Sequence, residues 1–418
     1  MNLAVISVVA LAVAVLVSCV TSLNVGVLAI ALAWIVGVYI GGMPLNTVIA
    51  GFPTPLFLTL VGVTLLFSLA QTNGTLDKLA HHAVRLCRGN RGVVPVMFFV
   101  LAAAIASAGP GNIATAALLA PMAMGTASRA RIPLFLMAIM VGNGANAGSL
   151  SPFAPTGIIV NGLMTRINMP GFQVETYLSN LLAHTCVAFG GYFLFGGLKL
   201  FRSNAAAGAV DPAAVLEPTK ADKPFEPRQW ATLAVIAALL AGALFFDINV
   251  GFGAFVCSVI LVLTGCADDG EAIKRMPWRV IIMVTGVTVL IAIMEKAEGI
   301  DLMVSLMARV STPGTVTGVV AFIVGIISVY SSTSGVVLPA FLPMAPGLAH
   351  QLGLASALGI ANAMNVGGHL VDVSPLSTIG ALCLAGATME ESRPLFNKLL
   401  AWGLSMSVVG AIICYLAF

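Results

Sequence analysis

The stretch at 365–379, NVGGHLVDVSPLSTI, interrupts a membrane-length apolar segment with Gly, Pro, Ser and Asn, residues that cannot sustain a helix there. A weaker copy, NAGSLSPFAPTG, runs from 146 to 157. Within a bilayer every backbone polar group must be satisfied by the protein itself, so a helix broken at membrane depth is tolerated only where it lines a polar cavity. The pattern predicts a transporter made of a duplicated half, with its solute held between the two breaks. The rest of the chain agrees. With 59% hydrophobic and 8% charged residues it is too apolar for a soluble enzyme built on one core, and it reads as an all-α polytopic protein with the lipid bilayer as its solvent. Nothing points to nucleic acid as a partner. Seven scattered cysteines without a CxxC pair read as small core residues. The first apolar run is read as a membrane span and not as a cleaved signal peptide.

Apolar runs of spanning length, each expected to hold ~20 residues of helix, fall at 3–21, 25–41, 55–71, 132–165, 176–200, 229–247, 250–266, 279–294, 353–388 and 399–418. Those at 132–165 and 353–388 contain the breaks. Two further stretches are too long for one helix and carry polar centres, GPGN at 109–112 and SSTSG at 331–335. They are expected to form re-entrant hairpins over about 93–126 and 314–346, with a single kinked span as the alternative. Before each comes an amphipathic segment, 76–88 with Lys78, His81, His82 and Arg85, and 300–310 with Asp301 and Arg309. These are expected to lie along the membrane surface, with His81 and His82 as surface residues. The polar segment 202–228 has no apolar periodicity and joins the halves.

Short matches recur in order. Asn24-Val25-Gly26 matches Asn249-Val250-Gly251, Gly62-Val63-Thr64 matches Gly286-Val287-Thr288, and Gly74 matches Gly299. Pro121-Met122 matches Pro343-Met344 and Ser151-Pro152 matches Ser374-Pro375, so all five fall at separations of 222 to 225 residues. The repeats are 1–201 and 229–418, with 202–228 between them. Each holds five crossings and one hairpin, and because five is odd the second enters from the opposite side, which makes the repeats inverted. With the N-terminus outside and the linker cytoplasmic, only Arg166, Lys296 and Arg309 of the 19 Lys and Arg fall outside, as the positive-inside bias requires.

The first hairpin and first break carry no charged residue between Val93 and Ser128 or between Pro133 and Thr165. A solute there would meet hydroxyls, amides and backbone. Helix N-termini with unpaired N–H groups suit a carboxylate, and helix starts are expected after GPGN at Ile113, after SSTSG at Val336, after Pro155 and after Pro375. Freed carbonyls and hydroxyls would bind a hard cation such as sodium. The substrate candidates are Gly111, Asn112, Ser151, Thr156, Ser332, Thr333, Ser334, Ser377 and Thr378. The sodium candidates are Asn112, Asn146, Gly148, Ser149, Ser334, Asn365, Gly368, Asp372 and Ser374. Thr115, Ser331, Gly367 and the tip residues Gly109 and Pro110 accompany them. Asp372 and His369 are the ionisable side chains of the second break, and the first break has none. A carboxylate within the membrane is a functional candidate by default; the alternatives are solvation near the cytoplasmic face or a structural pairing with His369. His184 is expected to be a hydrogen-bonded packing residue.

GNIATAALLAPM at 111–122 is similar to the Ser-Asn-Thr hairpin segment of the divalent anion:sodium symporters, and NAGSLSPFAPTGIIVN at 146–161 resembles their unwound Gly-rich, Thr-Pro-Gly loop. With GNGANAGSLSPFAPTG, the first half resembles the malonate and dicarboxylate carriers of the MatC type most. The resemblance implies a homodimer in a bacterial inner membrane, with a scaffold and a transport domain that moves like an elevator, carrying one dicarboxylate with sodium ions. Ile113 and Gly335 stand where the family pattern has hydroxyls, which shifts side-chain contacts toward the breaks, and Asp372 leaves proton coupling open beside sodium. The sequence thus predicts a cation-coupled symporter of malonate or a C4-dicarboxylate, an inverted-repeat, elevator-type carrier with two hairpins and two broken helices. The alternatives are an exchanger, or the large membrane subunit of a binding-protein-dependent (TRAP-type) carrier. An enzyme is not expected: there is no HExxH and no paired Asp.

Overall fold

The computed structural model describes residues 2–21, 23–85, 90–202, 224–387 and 389–418. Most of the linker, 203–223, and residues 86–88 of the first amphipathic segment lie outside the described residues. All regular structure among the described residues is helical. The chain opens with α1 (Leu3–Val20), α2 (Val25–Trp34), α3 (Leu45–Ala50), α4 (Thr54–Thr72) and α5 (Thr75–Arg85). Next come α6 (Val93–Ser107), α7 (Gly111–Arg129), α8 (Leu134–Ala147), α9 (Pro155–Arg166), α10 (Gln173–Leu194) and α11 (Gly197–Arg202). Past the linker follow α12 (Pro227–Phe245), α13 (Val250–Leu263), α14 (Asp269–Arg275), α15 (Trp278–Lys296), α16 (Gly299–Arg309) and α17 (Val316–Tyr330). The chain ends in α18 (Leu338–Phe341), α19 (Ala345–Gln351), α20 (Leu358–Leu370), α21 (Thr378–Ala385) and α22 (Met389–Ala417).

Five helical segments among the described residues are long and apolar enough to cross a membrane, or six if α17 and the segment after it, bent by 119°, form one span. This is a membrane protein, and several of its apolar helices are shorter than the sequence suggests. α13, with 14 residues, is about 21 Å long. It starts where the Asn249 side chain accepts the Phe252 N–H and ends before Gly265, whose φ of 70° no helix can continue through. The run at 25–41 changes at Trp34 into a π-helical turn, Ile35–Ile40. α22 begins ten residues before the expected 399, with Glu390 and Glu391 in its first turn, where acidic side chains favour the helix dipole.

Two groups of helices pack together. α6–α10 associate with α17 and α20–α22, while α2, α4, α13 and α15 form a second group against which α9 lies along α4. The second group is joined at two glycine crossings. A Cβ on Gly26 would collide with the Ile282 carbonyl and one on Gly286 with the Gly26 carbonyl, so α2 and α15 meet backbone to backbone. Likewise Gly62 abuts the Gly251 carbonyl, where α4 meets α13. Both crossings are built from the recurring Asn-Val-Gly and Gly-Val-Thr matches.

α5 is amphipathic but more deeply seated than a surface helix. Lys78 is 3% exposed and its Nζ donates to Gln229 Oε1 at 3.0 Å and to the Pro224 carbonyl at 2.9 Å, which pins α5 to the start of α12. His81, expected at the surface, is buried there.

Candidate functional site

The two breaks and the two polar tips meet at adjoining cavities. The first, of about 260 Å³, is lined by Ser331–Ser334, Asp372, Ser377 and Thr378, with Asn112 and Ile113 from the other tip. Its remaining wall comes from the second helix group, through Val25, Arg279, Val280 and Met283. The second cavity, of about 290 Å³, is lined by Gly109–Ala114, Pro155, Thr156 and Ser334, with Arg275 and Val280 opposite. Asn112, Ile113, Val280 and Ser334 belong to both, so one continuous polar zone joins them.

Helix starts from all four polar elements border this zone. They differ by a residue or more from the sequence expectation, for identifiable reasons. α7 starts at Gly111 and not at Ile113, because Gly109 (φ 137°) and Gly111 (φ 78°) make the turn in backbone conformations closed to other residues. After the second tip the chain enters a π-helical turn, Thr333–Val337, well before Val336, because the Ser332 hydroxyl accepts the Gly335 N–H and caps it. α21 starts at Thr378, three residues past Pro375, with Ser377 as its N-cap accepting from Gly380 N–H.

The candidate residues divide into those that reach the cavities and those that support them. Asn112 does both: its Nδ2 donates to Asn146 Oδ1 at 2.9 Å and its Oδ1 accepts from the Ile113 N–H at 3.0 Å. The Thr156 hydroxyl lies 3.5 Å from the same Oδ1. Thr333 donates to Asp372 Oδ1 at 2.8 Å, which holds the carboxylate at the cavity wall. Asp372 and His369 are not paired with one another, since His369 Nδ1 bonds the Asn365 carbonyl at 2.8 Å. Ser377 Oγ donates to the Asp372 carbonyl and to the Ser374 carbonyl.

Behind the wall, Ser149 donates to the Asn146 carbonyl at 2.7 Å and Ser151 to the Ser107 carbonyl at 2.7 Å. Asn146, Gly148, Ser149, Ser151, Asn365, Gly368 and Ser374 are buried and line neither cavity. Asn365 has neither side-chain atom hydrogen-bonded, and Thr115 Oγ1, His184 Nε2 and His369 Nε2 are likewise buried without a partner. His184 is held through Nδ1 by Asn143 Oδ1 at 2.9 Å, so the packing expected of it is half satisfied.

Arg279, Arg275 and Tyr330 line these cavities and were not singled out from the sequence. The available signal was Arg279 itself, a guanidinium one residue inside the apolar helix α15. Its exposure to the cavity depends on the α2–α15 crossing, which sequence pattern alone does not give.

Unwound segments meeting around a hydroxyl-lined cavity in an all-helical membrane protein are the features of a membrane transporter. Residues 1–149 match the family model described as the dicarboxylate carrier protein MatC N-terminus. Among solved structures the chain is similar to the YdaH transporter of Alcanivorax borkumensis, at 17% identity over 88% of this chain and 87% of that one, with a TM-score of 0.60. At that identity the likeness is one of fold. Comparison with curated proteins finds no match. The match of residues 1–149 to a carrier family, in a chain whose fold is similar to that of a transporter, indicates a transport protein and not an enzyme.

Proposed function

We propose that the protein is a secondary carrier of a small dicarboxylate, such as malonate or a C4 acid, moved with a coupling cation. The observation that carries this reading is the joined cavity, where the second tip and both breaks offer hydroxyls, the first tip offers the Asn112 amide and a helix start, and Asp372 is the carboxylate on the wall. The MatC N-terminus match supplies the substrate class. Helix starts and Ser and Thr hydroxyls take an anion's oxygens, while a small cation offsets the charge brought in with a dianion. Sodium at carbonyls and hydroxyls of the two breaks, with Asn112, Ser334 and Asp372 nearest the solute, fits the oxygen chemistry present. Thr333 orients Asp372 toward that role.

In this reading the chain is two inverted repeats, 1–201 and 229–418, and the two tips are re-entrant hairpins. Support comes from the matched glycine crossings and from Gly157 and Gly380, 223 positions apart, each packed on the carbonyl of the matched serine, Ser151 or Ser374. α6–α10 and α17–α22 form the moving unit of an elevator, and α2, α4, α13 and α15 the frame, in a homodimer. By the basic-residue count, Arg275 and Arg279 mark the cytoplasmic face, so the cavity they border opens inward.

Uptake of labelled malonate and succinate into proteoliposomes under sodium or pH gradients tests the reading. Accumulation that follows one gradient supports symport, and uptake indifferent to both removes it. Accumulation only after addition of a soluble binding protein would indicate the TRAP-type alternative, and uptake requiring internal dicarboxylate an exchanger.

A further inference from the structure

α10 carries Thr176, Asn180 and His184 at intervals of four, and so along one face. α20 carries Asn362, Asn365 and His369 at intervals of three and four, again along one face. The two faces meet, since the Thr176 hydroxyl donates to Asn362 Oδ1 at 3.1 Å and His184 lies within electrostatic reach of His369. α8 closes the seam with Asn143 and Asn146, and none of these side chains is more than 3% exposed. Their donor and acceptor roles follow from their fixed partners. Asn180 Nδ2 donates to the Asn146 carbonyl at 2.8 Å, which leaves Asn180 Oδ1 to accept. Asn112 Oδ1 accepts the Ile113 N–H, so its Nδ2 donates to Asn146 Oδ1 and leaves Asn146 Nδ2 to donate. Asn143 Nδ2 donates to the Ile139 carbonyl, so Asn143 Oδ1 accepts from His184 Nδ1, while His369 Nδ1 donates to the Asn365 carbonyl. Each neutral imidazole then keeps its lone pair at Nε2. Six side-chain atoms of the seam are buried without a protein partner: Nδ2 of Asn146 and Asn365 as donors, and Oδ1 of Asn180 and Asn365 with Nε2 of His184 and His369 as acceptors. Left bare, each would forfeit the hydrogen bonds it makes in water, which few buried groups do.

We propose that the seam between α8, α10 and α20 is a hydration site, where a small cluster of ordered water molecules bridges the two imidazoles and the amides of Asn146, Asn180 and Asn365. The mixture of roles selects the ligand. A cation would satisfy the four acceptors and be repelled by the N–H donors, and an anion the reverse, whereas a water molecule both donates and accepts, with about three bonds in all. Water also has a way in, because Asn146 is bonded to Asn112, which lines both polar cavities. The site joins α8 and α10, before the linker, to α20, after it, so water is part of the packing that holds the two broken helices together. The inference does not rest on the carrier reading and would stand if the protein moved no dicarboxylate.

The test is hydroxyl-radical labelling of the purified full chain by X-ray pulses in isotopically labelled water, once in choline chloride and once in sodium chloride. His184 and His369 are expected to take up label in both salts despite their burial, because radicals form from the water beside them. Phe98 of α6, buried as deeply among apolar neighbours, is expected to stay unlabelled. Absence of label at both imidazoles, which means a dry seam, overturns the proposal, and so does label lost when sodium replaces choline, which means a cation seat. Asn365→Leu adds a test by sign. In a dry seam the exchange removes an unsatisfied amide and Tm rises. In a hydrated seam it removes the amide that holds the water, so Tm is expected to fall by roughly 3 °C, together with loss of label at His369. Asn365→Ser, which keeps a hydroxyl and leaves room for another water, is expected to fall less. A raised Tm in Asn365→Leu overturns the proposal, and should that variant fail to fold, labelling of the wild type decides alone.

Discussion

The break between α8 and α9 and the break between α20 and α21 share a glycine contact in the backbone and put different numbers of side chains into the cavities. Both are closed by a glycine, Gly157 or Gly380, at a position where a Cβ would collide with the carbonyl of Ser151 or Ser374. In the first break both serines are spent on the protein, Ser149 on the Asn146 carbonyl and Ser151 on the Ser107 carbonyl, and Thr156 alone brings a hydroxyl to a cavity. In the second, Asp372, Ser377 and Thr378 reach the cavity, with Thr333 holding the carboxylate. The shape of a broken helix is therefore set by backbone contacts that the two matched segments share, and its chemistry by a few side chains that can change without disturbing that shape.

The strongest way to break this comparison is to fill the two glycine contacts. Gly157→Ala and Gly380→Ala are each expected to destabilise the protein by about 3 kcal/mol or more, because backbone carbonyls cannot move aside as side chains do. Loss of monodisperse protein and a lowered Tm for both would sharpen it; a well-folded variant at either site would contradict a shared frame. Next in size, Asp372→Asn is expected to reduce concentrative malonate uptake by roughly 100-fold, about 2.7 kcal/mol, with little change in Tm. Ser151→Ala should show the reverse pattern, about 1 kcal/mol of stability with uptake per folded molecule nearly intact. An intermediate case is Asn112→Ala, which removes the bond to Asn146 and the contact with Thr156, and is expected to weaken malonate binding about fivefold and stability by about 1–2 kcal/mol. Smallest is Ser377→Ala, the loss of an N-cap worth about 1 kcal/mol, read as a modest fall in Tm.

The breaks and tips were legible because Pro and Gly interrupt apolar runs in a way no buried helix permits, and the resemblance of the first half to MatC-type carriers is borne out over residues 1–149. Less was legible about which polar residues face the solute. Ser151 and Ser377 look alike in sequence, yet one bonds to a neighbouring helix and the other borders a cavity. That difference is decided by how α6 packs against α8, a tertiary fact without periodicity. The π-helical turns at Ile35–Ile40 and Thr333–Val337 were equally invisible, since a single extra residue per turn leaves no compositional trace. Burial of His81 was missed because α5 is docked to the start of α12 through Lys78, a tertiary contact that the helix's own pattern does not carry.

The glycine crossings of α2 on α15 and of α4 on α13 have a mechanical consequence. Where main chain rests on main chain there are no rotamers to absorb a displacement, so each pair behaves as a rigid strut. In the carrier proposed above, the rearrangement that admits and releases a solute would then occur as slip along the softer seam, where side chains and the cavity itself separate these struts from the broken helices.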